Sequence, residues 1–84
     1  MNKEYFRTTS FRIASFLFAK DFTLVGVNKL DHKTSEFVFI DTPEREALIH
    51  AFDYSAENDP QVVLDARKLY MAEKTLKEKL YRDY

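Results

Sequence analysis

The sequence predicts an α+β domain of order β-α-β-β-α-α, in which three helices cover one face of a small three-stranded sheet. Three observations carry that prediction. Two β-prone apolar runs, 22–30 and 36–41, flank a polar connection, which is the pattern of a hairpin. The run from Phe11 to Lys20 has neither Gly nor Pro and is apolar on more than one side, as a buried helix is. Thr42-Pro43 and Asp59-Pro60 each set a capping side chain directly before a proline, as at a helix start. With 84 residues the chain fits one domain, 1–84, and its eight Phe and five Tyr give so short a chain a dense core.

Tyr5-Phe6-Arg7-Thr8 is aromatic and β-prone and predicts a first strand. Thr9 or Ser10 then offers a hydroxyl to the free N–H groups at the start of the Phe11–Lys20 helix. Asp21 ends that helix. The strand over 22–30 contains the only glycine, Gly26, which marks a bulge or a close backbone approach. Asp31-His32-Lys33-Thr34-Ser35 forms the hairpin loop. In the returning strand, Phe37 and Phe39 share one face while Val38 and Ile40 share the other, so it is central, paired on its far side by 5–8.

Thr42 as cap, Pro43 at the first helical position and Glu44 near the positive helix end predict a second helix over 43–54. Its apolar stripe is Ala47, Leu48, Ala51 and Phe52, which leaves Glu44, Arg45 and Asp53 toward water. Ser55-Ala56-Glu57-Asn58 is a loop, and Asp59-Pro60 opens a third helix running to Arg82. Val62, Ala66, Leu69, Leu76 and Leu80 form its stripe, interrupted by Glu73, so either the helix bends there or Glu73 lies at the stripe's edge. Glu73–Lys77, Lys74–Glu78 and Glu78–Arg82 stand at i,i+4, the spacing of charge pairs on a solvated helix face.

The chemistry that the sequence excludes is extensive. Without cysteine there are no disulfides, no thiolate nucleophile and no zinc site that needs sulfur. His32 and His50 lie too far apart for a paired metal motif, so neither metal nor cofactor is expected. Gly-rich phosphate loops, G-x-S-x-G and H-E-x-x-H are all absent, and the chain is not expected to be an enzyme. His50 has Glu46 and Asp53 one turn away on either side, yet no nucleophile or oxyanion arrangement accompanies it. His32 reads as a turn residue. No base can be placed beside Ser10 or Ser15 as nucleophile, and Glu44 and Glu46 face different directions on their helix. The polar start Met1-Asn2-Lys3-Glu4-Tyr5 lacks the apolar stretch of a signal peptide. The longest apolar run, Phe16 to Ala19, is far below the roughly 20 residues of a membrane span, so a cytoplasmic protein without a membrane partner is expected.

Net charge is −1, but the charges are segregated: +2 over 1–40, −6 over 41–66 and +3 over 67–84. Such blocks either steer a partner or draw segments of one chain together. Tyr70, Met71, Tyr81 and Tyr84 fall away from the leucine stripe of the last helix and leave apolar surface for a protein partner or a second copy of the chain. The alternative partner is nucleic acid. Bases stack on aromatic rings while cations meet phosphate, and Tyr5, Phe6, Arg7 and Arg12 interleave the two, with Lys29, Lys33, Lys74 and Lys77 as further cations. Tyr5 and Phe6 point to opposite faces of a strand, so only one of them serves as a stacking platform if the other is core.

Tyr5-Phe6-x-Thr8, Ala14-x-Phe16-Leu17, Phe22-x-Leu24, Phe37-Val38-Phe39 and the closing Asp65-Ala66-Arg67 and Leu76-Lys77 together resemble a family of short prokaryotic and phage proteins described only as a domain of unknown function. The resemblance spans nearly the whole chain and rests on core and capping positions. It implies the fold and no catalytic residues, and its setting in mobile elements and compact genomes implies a small regulator or inhibitor. The expectation is therefore a non-catalytic interaction or dimerisation module, with a nucleic-acid-binding regulator as the alternative.

Overall fold

Local signals place most of the elements. A computed structural model describes residues 4–56 and 58–82. They form β1 (Tyr5–Thr8), α1 (Phe11–Ala19), β2 (Leu24–Lys29), β3 (Ser35–Ile40), α2 (Arg45–Tyr54) and α3 (Ala66–Arg82), the α+β order that the sequence predicts. Ser10 caps α1, its hydroxyl accepting the Ile13 N–H at 3.1 Å. At the other end Asp21 takes a left-handed conformation, φ 70°. The Asp21 and Phe22 N–H groups donate to the Phe18 and Leu17 carbonyls at 3.0 and 3.1 Å, a Schellman closure with aspartate where glycine is usual.

The sheet is antiparallel throughout, in the order β1-β3-β2, so β3 is central as expected. Phe6 pairs with Phe39 and Thr8 with Phe37, while Leu24 and Val27 stand opposite the same two phenylalanines from the other side. These residues make one apolar face, and α1 lies over it. Phe16, Leu17, Phe37, Phe39 and Leu76 are essentially inaccessible and form the centre of the core. Phe16 of α1 stacks on Phe52 of α2 with ring centroids 4.3 Å apart, which ties the second helix to the same layer. The register slips between Leu24 and Gly26, so a bulge falls where the glycine suggested one. A close backbone approach does not: a Cβ on Gly26 would meet nothing within 4 Å.

Two helix starts differ from expectation, and both corrections have the same physical cause. α2 begins at Arg45 instead of Pro43, and the Thr42 hydroxyl caps nothing. Asp41 organises the corner in its place, accepting the Thr42 N–H at 2.9 Å and the Arg45 guanidinium at 3.0 and 3.3 Å. Arg45 is therefore not turned to water; its guanidinium lies 4.2 Å over the Phe6 ring. α3 begins at Ala66 instead of Pro60. Asp59 closes only a turn, its carboxylate accepting the Gln61 N–H at 2.9 Å, and the working cap is Asp65, which accepts the Arg67 N–H at 2.7 Å. Proline preset the backbone for a turn at both corners; beyond it Asp65 caps α3, whereas α2 starts without a side-chain cap and Asp41 holds the corner through the Arg45 guanidinium.

The inner stripe of α3 is Leu69, Ala72, Leu76 and Leu80, with Ala72 buried and Leu76 fully so. Ala66 is exposed and Val62 precedes the helix, so neither belongs to that stripe. Because α3 runs unbroken through Glu73, that half-buried residue lies at the stripe's edge.

Candidate functional site

Once Leu69, Ala72, Leu76 and Leu80 set the phase of α3, the opposite side of the helix is determined. Tyr70 and Tyr81 are 63% and 72% exposed, and Met71 beside them is 52% exposed. Between the two tyrosines runs an open groove of about 590 Å³, lined by Tyr70, Glu73, Lys74, Lys77, Glu78 and Tyr81. The tyrosines were legible as apolar residues off the core stripe. Glu73 and Glu78 as groove residues were not, because i,i+4 spacing made them read as ordinary solvated charges. Neither Glu73–Lys77 nor Lys74–Glu78 closes to 4.0 Å among the described residues. Lys77 instead leans toward the Phe11 ring, 5.8 Å from its centroid. Tyr84 and the Arg82 side chain lie outside the described residues.

The residues of the nucleic-acid alternative are divided between layers. Tyr5 and Arg7 stand on the face of the sheet away from the helices, together with Glu36, Val38 and Ile40. Arg7 donates to Glu36 there at 3.0 Å. Phe6 points the other way, into the core, so Tyr5 is the only aromatic of the two on the open face. Arg12 lies on α1, pairs with Asp53 of α2 at 3.1 Å and sits 4.9 Å over the Phe52 ring. It is brought nowhere near the sheet's open face. Lys29 ends β2, while Lys33 and Lys77 do converge, lining a cavity of about 350 Å³ with Phe11 and Phe37. Part of the charge segregation is thus spent within the chain: Arg12–Asp53 joins the basic first block to the acidic second, and Lys68–Asp21, 2.9 Å apart, joins the last block to the first.

A third concavity, about 720 Å³, lies along α2 between Pro43, His50, Tyr54, Ser55 and Asp59. The exposed His50 ring lies tilted at 50° against Tyr54 with centroids 5.0 Å apart, and no hydrogen bond from Glu46 or Asp53 engages it among the described residues. Ser15 is buried in the core and its hydroxyl has no partner among the described residues. His32 is exposed in the hairpin loop.

Three carboxylates are held below their ordinary pKa, each by local donors. The Lys33 and Thr34 N–H groups act on Asp31, the Arg45 guanidinium on Asp41 and the Arg67 N–H on Asp65. All three are corner residues: their ionised forms fix the hairpin loop and the starts of α2 and α3, and none lines a groove.

Among the described residues no helix is long and apolar enough to cross a membrane, and no group of three or more His, Asp or Glu side chains is placed to hold a metal ion. No curated protein and no solved structure matches the chain. The model of one family does match, over residues 3–82 and so over every element described above. The chain belongs to that family, described as Domain of unknown function (DUF5659).

Proposed function

We propose that this protein is a non-catalytic cytoplasmic interaction module, a small regulator that works by docking the outer face of α3 against another protein. The observation that carries the reading is that face itself: two exposed tyrosines and a methionine on the helix whose other side holds the core, with a groove between the tyrosines. Tyrosine supplies contact area at low ordering cost, methionine adds an adaptable apolar side chain, and the ring of lysines and glutamates around them supplies the polar rim of a protein interface. A photoreactive phenylalanine analogue replacing Tyr70, activated in living cells, tests it. Discrete adducts, absent when the analogue replaces Tyr5 on the sheet, support the reading; no adduct from position 70 defeats it.

A second reading, nucleic-acid binding, is favoured by Tyr5 standing outward beside Arg7 and by the convergence of Lys33 and Lys77. Fluorescence-polarisation titrations with single- and double-stranded oligonucleotides at two salt concentrations decide between the two. Micromolar affinity with a steep salt slope supports the second reading and defeats the first.

A further inference from the structure

The outer face of α3 has an internal symmetry. Residues 70, 74, 77 and 81 follow at spacings of four, three and four and form one row along the helix. Glu73 and Lys77 incline to one edge of that row, Lys74 and Glu78 to the other. Read from either end, the groove residues run Tyr, Glu, Lys, Lys, Glu, Tyr.

Resting on the interaction reading above, we propose that the occupant of this groove is a second copy of the chain. Its α3 lies antiparallel across a two-fold axis that passes between residues 75 and 76. Such an axis keeps each edge of the row on its own side and reverses direction along it. Lys74 then meets the partner's Glu78, Glu73 meets the partner's Lys77 and Tyr70 meets the partner's Tyr81, and the symmetry makes every contact twice. The levels of Lys74 and the partner's Glu78 differ by one residue, about 1.5 Å along the axis, well within the reach of both side chains. Met71, on the same turn as Tyr70, widens the seat for the partner's Tyr81.

Parallel pairing also matches the signs of the charges, but it sets the two helix dipoles side by side in the same sense, whereas antiparallel pairing puts each positive helix start beside a negative end. Three turns of one helix cover less than the roughly 1,200–2,000 Å² of a stable interface, so a reversible dimer in the micromolar range is expected.

Sedimentation of the purified chain over a concentration series tests the pairing. Lys74→Glu with Lys77→Glu makes the row wholly acidic, and Glu73→Lys with Glu78→Lys makes it wholly basic. Each doubly substituted chain is expected to self-associate at least about tenfold more weakly than the parent, while an equimolar mixture of the two re-forms a dimer. A parent chain that stays monomeric to near-millimolar concentration overturns the proposal, as does a mixture that fails to associate while both components retain the parent's circular dichroism. Orientation is read separately, because the chain has no cysteine of its own. A short thiol cross-linker should join Tyr70→Cys to Tyr81→Cys in a mixture and neither to itself; cross-linking of Tyr70→Cys to its own kind overturns the antiparallel arrangement. Failure here is distinguishable from failure of the interaction reading. A monomer in solution that still gives adducts with a different protein from position 70 in cells loses only the self-pairing.

Discussion

Leu69, Ala72, Leu76 and Leu80 on one side of α3, and Tyr70, Lys74, Lys77 and Tyr81 on the other, occupy the same turns of the same helix. The first set meets α1 and the sheet and includes a fully buried leucine. The second meets solvent with large aromatic rings and with two lysines that form no ion pair within 4.0 Å among the described residues. One side uses small and branched aliphatic residues that interdigitate, and the other uses residues that combine apolar area with a polar tip. The contrast separates two jobs that a core residue usually combines: changes on the inner side should alter whether the chain folds, and changes on the outer side should alter only what it touches.

Leu76→Ala breaks the inner side and gives the largest expected effect. Leu76 has no accessible surface, so the truncation leaves a cavity in the core that α3 closes against α1 and should cost about 2–5 kcal/mol in urea unfolding. Next in size is Asp21→Gly, at the end of α1, where Lys68 of α3 reaches across to the carboxylate. It relieves a left-handed aspartate and gives up only an exposed ion pair, so a net gain of about 0.5–1 kcal/mol is expected from the same measurement. Tyr70→Ser should leave the unfolding midpoint within about 0.5 kcal/mol of the parent while weakening association. A large loss of stability from Tyr70→Ser would erase the distinction between the two sides.

The smallest effect concerns where α3 begins. Asp65 is held below its ordinary pKa by the Arg67 N–H, so its contribution is present above the unfolded value of about 4 and fades as pH falls through the lower folded value. Asp65→Asn keeps a capping oxygen and does not titrate. It should therefore flatten the acid limb of a stability profile measured between about pH 5 and 2. An unchanged limb would mean that Asp65 is not the cap.

The strands and α1 were legible because their signals are local and periodic: alternating Phe37-Val38-Phe39, the polar hairpin loop and the Ser10 cap each act within a few residues. The starts of α2 and α3 were not. Pro43 and Pro60 suit the first position of a helix and the second position of a turn equally well; α3 is capped by Asp65, a residue the pattern passed over for Asp59, and α2 starts without any side-chain cap, its corner held by Asp41 through Arg45. The outer face of α3 was half legible. Tyr70, Met71 and Tyr81 stood out by elimination from the leucine stripe, but the groove and its symmetry depend on the phase of the helix. Leu69, Leu76 and Leu80 already marked that phase in the sequence, but Ala72, which fills the gap beside Glu73, is too small to announce itself. Arg12 was read as a free cation because Asp53 and Phe52, which engage it, are about forty residues away in sequence.

The division of labour within α3 is tested most directly by backbone and side-chain NMR shifts followed as the protein is concentrated from micromolar to near-millimolar. The account predicts concentration-dependent shifts confined to Tyr70, Met71, Glu73, Lys74, Lys77, Glu78 and Tyr81, with Leu76 and the sheet unmoved. Shifts centred on Tyr5 and Arg7, or none anywhere, would contradict it.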